Sequence, residues 1–164
     1  MRAFCDMDGV LARFYDEQNY LEAMYEKGFF EGLGVYNRMV SGFNRFMKKH
    51  PEIPVYILSA YPHESPFAKG EKNEWLDDFF PVQNRIFMFA GEDKSKYVPD
   101  ISRDDYLFDD HTPNIRAWEA AGGTGIKVRN EINCKSGTWS GKIISALDDP
   151  DTIASELEKL LGLG

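Results

Sequence analysis

Cysteine is scarce in this sequence, which has only Cys5 and Cys134 among its 164 residues. Nothing about these two cysteines suggests a disulfide framework, and the apolar run around Cys5 is typical of a buried thiol. No apolar run approaches the about 20 residues that a transmembrane helix needs. The first predicted strand begins near Arg2, so we expect no signal peptide. These absences favour a cytoplasmic protein.

Basic residues are also in short supply. Lysine and arginine total 19 against 27 acidic residues, and the net charge is −8. Such a balance argues against nucleic acid or an anionic membrane surface as the main partner. It leaves room for a small phosphorylated ligand, because a bound cation can invert the local charge. The length and the 43% of hydrophobic residues are typical of a single globular domain, 1–164.

Apolar runs of strand type alternate with helical patterns along most of the chain. The predicted strands are 3–7, 55–60, 85–90, 105–109 and 125–129, and the predicted helices are 66–79, 112–121 and 151–161. We expect Asp151 to be the N-cap of the last helix. This alternation predicts an α/β fold, with a Rossmann-like parallel sheet of about five strands and helices on both faces.

Residues 14–50 interrupt the alternation, because they contain no strand signal. One apolar stripe has the i, i+3, i+4, i+7 spacing of a helix and comprises Tyr36, Met39, Val40, Phe43 and Met47. The interval follows the first strand directly. We therefore predict a small helical cap at 14–50, inserted over the carboxyl end of that strand.

Polar side chains of catalytic type follow three of the predicted strands. Asp6 and Asp8 come after the first strand, Ser59 lies near the end of the second, and Asp109 and Asp110 end the fourth. In an open parallel sheet, ligands bind at the carboxyl ends of strands where the strand order reverses. Several carboxylates gathered there need a hard cation, and an all-oxygen ligand set favours Mg²⁺.

A phosphate in the same crevice also needs a positive side chain. Lys94 follows the third strand and is our candidate, with Lys96 as its competitor. On the helix after the second strand, we expect Trp75 to be buried and Lys72 to be solvated. Carboxylates, a cation and a lysine together are typical of a phosphoryl-transfer site.

The order D-x-D-G-V, then Ser, then Lys, then Asp-Asp resembles the haloacid dehalogenase (HAD) superfamily of phosphotransferases. The resemblance implies that Asp6 is the nucleophile, which forms an aspartyl-phosphate, and that Asp8 is the general acid–base. It also implies that Asp6, the backbone carbonyl of Asp8 and Asp109 hold Mg²⁺, with Asp110 close behind. Ser59 and Lys94 would bind the phosphoryl oxygens.

Three segments resemble the 5'(3')-deoxyribonucleotidase family, particularly its bacterial and phage members: "DMDGVLA", "EKNEW" and "DDHTPNIRAWEAAGGTGIKV". This resemblance implies Mg²⁺-dependent hydrolysis of nucleoside monophosphates, often deoxyribonucleotides, and a role in nucleotide metabolism. The chain departs from mammalian members at Ala60 and Glu92. The 14–50 interval is rich in aromatic residues, and Phe14, nearest the nucleophile, is our candidate for a substrate contact.

Three alternatives stay open at this point. A HAD phosphatase could act on a sugar phosphate or another small phosphoester, because the catalytic residues do not select the rest of the substrate. A catalytically inactive binding module is disfavoured, because binding alone would not need the full set of residues. A signalling receiver domain is disfavoured too, because its acidic pair comes from the first strand, whereas here the pair Asp109-Asp110 ends the fourth.

Overall fold

The computed structural model describes residues 1–14, 20–133 and 137–164. Its strands, in chain order, are β1 (Arg2–Cys5), β2 (Ala12–Arg13), β3 (Gly34–Val35), β4 (Val55–Tyr61), β5 (Arg85–Phe89), β6 (Asp105–Asp109), β7 (Thr124–Arg129) and β8 (Lys142–Ser145). Its α-helices are α1 (Tyr20–Ala23), α2 (Asn37–Lys49), α3 (Ala68–Phe79), α4 (Thr112–Ala120) and α5 (Pro150–Leu160). Cys134 lies outside the described residues.

Within the described residues, six parallel strands form the main sheet in the order β5-β4-β1-β6-β7-β8. This confirms the predicted α/β fold, with β8 added to the about five strands expected. The strand β1 lies inside the sheet, where Ala3, Phe4 and Cys5 are almost fully buried. Since β1 pairs with β4 on one side and β6 on the other, the strand order reverses at β1. Ligands bind at such a reversal, outside the carboxyl ends of the strands.

Helices cover both faces of the sheet. On one face, residues of α2, α3 and α5 share a core with Cys5 and Ile57. On the other face, Trp118 of α4 packs with Phe4 and Leu58. Trp75 and Trp118 are both buried, and each indole N–H donates to a backbone carbonyl. Both tryptophans are therefore core residues.

The last part of the 14–50 interval, helix α2, packs within the main core. The helix α2 packs against α5, where Gly42 allows close approach: a Cβ there would lie 2.3 Å from Ile153. Its residues Met39 and Phe43 belong to the main core. The short strands β2 and β3 pair at the base of the insertion. The part that lies outside the main core therefore ends before α2, and residues 15–19 of it are outside the described residues.

Helix α5 begins earlier than predicted. Its N-cap is Asp149, whose carboxylate accepts the backbone N–H of Thr152, and not Asp151. Pro150 follows at the first helical position, where its missing N–H costs nothing. None of the helices in the described ranges is long and apolar enough to cross a membrane.

Candidate active site

Asp6 follows β1 directly and is 8% exposed. Its Oδ1 accepts the backbone N–H of Met7 at 2.8 Å. The chain then turns tightly, since the Met7 carbonyl accepts the N–H groups of both Leu11 and Ala12. Gly9 occupies this turn with a φ of 80°, and a Cβ there would lie 2.1 Å from Asp110 Oδ2. Only glycine fits here. The turn therefore brings the first acidic segment, residues 6–8, against the second acidic segment, residues 109–110.

Asp109 is the last residue of β6 and is fully buried. Its Oδ1 accepts the backbone N–H of His111 at 2.8 Å, and its Oδ2 accepts from Asn114 at 3.0 Å. Carboxylate oxygens of Asp6, Asp109 and Asp110 lie within 4.8 Å of one another. This acidic cluster, Asp6, Asp109 and Asp110, is a candidate metal site at the reversal of the strand order.

Lys94 lies beside the acidic cluster at the start of a short 3₁₀ helix, Lys94–Tyr97. Its ammonium is 2.6 Å from Asp109 Oδ2 and 3.2 Å from Asp6 Oδ1. Burial alone would lower the pKa of Lys94, but Asp109 and Asp6 outweigh it and raise the pKa above its usual value. Lys96, the competing candidate, is exposed. Of these two lysines, the structure brings Lys94 to the site.

A second lysine lies at the site, and its position contradicts the sequence prediction. Lys72 of α3 was expected to be solvated, yet it is fully buried. Its ammonium donates to Asp8 Oδ2 at 2.5 Å, to Ser59 Oγ at 2.9 Å and to the Ala60 carbonyl at 2.6 Å. It points inward because it shares the apolar stripe of Ala68 and Leu76, four residues away on each side. That i±4 spacing is the sequence signal that could have identified it.

Burial and like charges raise the pKa of several carboxyl groups. Burial raises the pKa of Asp8, Lys72 opposes the rise, and Asp6 adds to it. Burial also raises the pKa of Asp109, partly offset by Lys94. The pKa of Asp110 is raised well above its usual value, since burial and the neighbouring charge of Asp109 act in the same direction. The cluster is therefore short of positive charge.

No family model matches the chain, and no curated protein does. Solved structures do. D,D-heptose 1,7-bisphosphate phosphatase from B. bronchiseptica, complexed with magnesium and phosphate, superposes with a TM-score of 0.67 at 13% identity, over 97% of this chain and 98% of that one. The Burkholderia thailandensis enzyme of the same name superposes with a TM-score of 0.59 at 12% identity, over 97% of each chain. A protein from Mesorhizobium loti, proposed to be a HAD-like phosphatase, superposes with a TM-score of 0.55 at 16% identity, over 99% of this chain and 87% of that one.

The six-stranded parallel sheet, its helices on both faces and these superpositions agree. The fold is HAD-like. At this level of identity the neighbours establish the fold alone.

Within the HAD-like fold, the predicted site residues gather at two adjacent lysine-centred groups. Lys94 contacts Asp6 and Asp109, with Asp110 beside them. Lys72 contacts Asp8 and Ser59. In the described part of the chain, Asp8 is not in the carboxylate cluster that could hold a metal ion, and its buried Oδ1 has no hydrogen-bond partner. A metal contact through the Asp8 carbonyl stays a prediction.

The predicted substrate contact, Phe14, belongs to an aromatic cluster of the insertion. Its ring centroid lies 5.9 Å from that of Phe29 and 6.5 Å from that of Phe30. The ring of Phe30 in turn lies 4.9 Å from the ammonium of Lys72. The aromatic cluster is therefore connected to the Lys72 group of the site, and a contact of Phe14 with the substrate stays a prediction.

The acidic cluster fits a hard divalent cation. All of its donors are carboxylate oxygens, which are the ligands that Mg²⁺ prefers. A cation would also offset the repulsion that raises the pKa of Asp110. Beside it, Asp8 is held by Lys72 and carries a free carboxylate oxygen. A metal-binding cluster next to a separately held carboxylate can support nucleophilic attack and proton transfer on one ligand.

Proposed function

We propose that the chain is a Mg²⁺-dependent phosphomonoesterase that works through an aspartyl-phosphate on Asp6. The observation that carries this proposal is that two aspartates, two residues apart, have different surroundings. Asp6 lies in the acidic cluster beside Lys94, whereas Asp8 is held outside it by Lys72. One carboxylate is thereby available to attack phosphorus and the other to transfer protons.

Asp6 attacks phosphorus with Oδ2, because its Oδ1 accepts from Met7 and faces Lys94. The phosphorus bond to the ester oxygen breaks, and Asp8 gives its proton to the leaving oxygen. Burial and the charge of Asp6, against the opposing effect of Lys72, raise the pKa of Asp8 and so favour a proton there at the start.

Water then attacks the same phosphorus, and Asp8 takes a proton from that water. The bond between phosphorus and Asp6 breaks, so inorganic phosphate leaves and both aspartates return to their initial state. Lys94 and the Lys72–Ser59 group supply positive charge and hydrogen-bond donors for phosphoryl oxygens. When bound by Asp6, Asp109 and Asp110, Mg²⁺ would neutralise negative charge on the phosphoryl group.

For the substrate we propose a nucleoside monophosphate, most favourably a deoxyribonucleotide. The support is the resemblance of three segments to the deoxyribonucleotidases and the aromatic cluster of Phe14, Phe29 and Phe30 next to Lys72. Flat aromatic faces can stack on a base. A sugar phosphate is the second candidate, because two of the superposed structures are heptose bisphosphate phosphatases.

The test is phosphate release from a panel of ribo- and deoxyribonucleoside monophosphates and sugar phosphates, with Mg²⁺ and with EDTA. We expect Mg²⁺-dependent release, greatest with deoxyribonucleotides, and a loss of at least about 10³-fold in Asp6→Asn. The matched control is Asp148→Asn, which neutralises an exposed aspartate. Release from sugar phosphates alone would favour the second candidate, and no release from any ester would overturn the enzymatic proposal.

A further inference from the structure

The turn after β7 contacts both acidic segments of the site. It holds Asn130, which is 1% exposed, and Asn133, which is partly exposed. The Asn130 side chain donates to the Gly9 carbonyl at 2.8 Å, and the Asn133 side chain donates to the Asp110 carbonyl at 3.2 Å. One turn is thereby bonded to the backbone of each segment.

The two asparagines also fix each other. Asn130 Oδ1 accepts the backbone N–H groups of Ile132 at 2.9 Å and Asn133 at 3.0 Å. In return, Asn133 Oδ1 accepts the backbone N–H of Asn130 at 2.8 Å. Because backbone N–H groups require an oxygen as partner, these bonds set the orientation of both amides. The Nδ2 group of Asn130 must then face Gly9, and that of Asn133 faces the Asp110 carbonyl and also donates to the Val128 carbonyl at 2.9 Å.

The carbonyls that receive these bonds lie next to the acidic side chains. Gly9 follows Asp8 and lies so close to the Asp110 carboxylate that a Cβ would overlap it. The Asp110 carbonyl receives a second donor, the buried Lys127 ammonium, at 2.5 Å. A change in the spacing between the two segments would therefore strain or break at least one of these hydrogen bonds and leave a polar group unpaired.

The same turn is tied to the insertion. Glu131 accepts from Arg13 of β2, through Nε at 3.1 Å and Nη2 at 2.9 Å. The turn thus contacts the first acidic segment, the second acidic segment and the base of the insertion.

We infer that Asn130 and Asn133 are positioning residues, which hold the two acidic segments at the spacing that the metal site requires. We call this pair the asparagine clamp. The inference rests on the proposed function, because it takes the acidic cluster as the metal site of the reaction. Bonds to the surroundings of metal ligands commonly change metal affinity by about 10–100-fold when they are lost.

The test uses Asn130→Asp and Asn133→Asp, which keep the accepting oxygen of each side chain and remove its donor. An added carboxylate near the acidic cluster would by itself strengthen cation binding. Weaker binding in these variants would therefore report lost positioning and not the added charge. The matched control is Asn73→Asp on α3, whose side chain donates to the Lys69 carbonyl in its own helix.

We expect the calorimetric Kd for Mg²⁺ to rise at least about 10-fold in both clamp variants and less than about twofold in the control. Hydrogen exchange should quicken at residues 7–12 in Asn130→Asp and at residues 109–112 in Asn133→Asp, with α5 unchanged. Unchanged affinity together with unchanged exchange would overturn the inference. If burial of a charge unfolds Asn130→Asp, then Asn130→Ser, which is shorter and uncharged, replaces it.

The two proposals can fail separately. If the wild-type chain binds no Mg²⁺, the proposed function fails, and the exchange measurement alone decides the clamp. If Mg²⁺ binds but no phosphoester is hydrolysed, the affinity and exchange measurements still decide it. Faster exchange throughout the chain, α5 included, would indicate general destabilisation and count against a positioning role.

Discussion

Lys72 and Lys94 are both buried at the site, yet they bind different carboxylates. Lys94 contacts Asp6 and Asp109 of the acidic cluster. Lys72 contacts Asp8 and also the hydroxyl of Ser59. Each lysine offsets part of the charge of the aspartate that it contacts, so the repulsion between Asp6 and Asp8 is reduced. The two lysines should therefore affect different steps of the reaction.

For Lys72→Met, we expect kcat/KM on an alkyl phosphoester of the panel to fall about 10²-fold or more. Methionine approximates the volume of lysine but cannot hold Asp8 or offset its charge. The loss should be smaller on p-nitrophenyl phosphate, whose leaving group needs little help from a proton donor. Steady-state kinetics on both substrates measures this difference.

The control for this prediction is Lys96→Met, which removes an exposed lysine two residues from Lys94. It should leave both rates within about twofold, in keeping with the small effect of surface substitutions. Equal losses on the two substrates in Lys72→Met would contradict an action through Asp8. They would indicate that Lys72 acts through phosphate binding alone.

The candidate site residues were predictable where they stand at the end of a predicted strand. Asp6, Asp8 and Asp109 each come at the end of an apolar run, and a polar residue in that position lies at the carboxyl end of a strand. Lys72 lies within a helix and has no strand-end signal; only its i±4 spacing from Ala68 and Leu76 indicates burial, against the usual solvation of a lysine. Asn130 and Asn133 lie in a polar turn that contains no periodic pattern. Their contacts with Gly9 and Asp110 join parts of the chain about 120 and 20 residues apart, which local patterns do not report.

At the scale of elements, the turn at residues 28–31 is attached to α3 by Glu71. This carboxylate is 6% exposed and accepts three backbone N–H groups, those of Gly28 at 2.8 Å, Phe30 at 3.1 Å and Glu31 at 3.3 Å. Glu71 directly precedes Lys72, whose ammonium lies under the ring of Phe30. The insertion and the Lys72 group are thereby fixed by adjacent residues of one helix.

Glu71→Gln should loosen this attachment. One accepting oxygen becomes an NH₂ group, which cannot accept from a backbone N–H and leaves it unpaired. We expect unfolding free energy to fall by about 1–3 kcal/mol and hydrogen exchange at residues 28–31 to quicken. Urea unfolding and exchange by mass spectrometry measure the two effects.

Glu74→Gln is the matched control, because it makes the same change on an exposed position of α3. It should change stability by less than about 0.5 kcal/mol. If Glu71→Gln exchanged no faster than this control at residues 28–31, the carboxylate would not be what holds the turn.

Element boundaries were predictable from the sequence more readily than element partners. The stripe of α2 identified its buried face, including Met39 and Phe43, but a stripe does not reveal what covers it. Its partner is α5, which no pattern within residues 14–50 identifies. The strand β8 was missed because, among its four residues, only Ile144 is buried. An edge strand so short has too little apolar pattern to stand out from a polar loop.

At the scale of the whole molecule, the central pair of strands carries charge at both ends. The candidate site lies at the carboxyl ends of β1 and β6. At the opposite ends, Arg2 donates to Asp105 through Nε at 2.6 Å and through Nη2 at 2.9 Å. Burial alone would raise the pKa of Asp105, but the bonds from Arg2 and Ser102 outweigh it and lower the pKa below its usual value. This pair joins the first and the sixth strand of the chain across the middle of the sheet.

The Arg2–Asp105 pair should make stability depend on pH in a defined direction. Because the folded pKa of Asp105 is lowered, its stabilisation is complete above the unfolded pKa of about 3.9 and is lost as pH falls through the folded value. Asp105→Asn mimics the protonated state. We therefore expect it to lower the free energy of unfolding by about 1–2 kcal/mol at pH 7 and by progressively less below pH 4. Urea unfolding of wild type and variant across this range gives the difference directly. Asp151→Asn, which alters an exposed partner of Arg45, should show little cost at any pH. A cost for Asp105→Asn that stayed constant down to the lowest pH would mean that packing, and not the ionised carboxylate, joins the two strands.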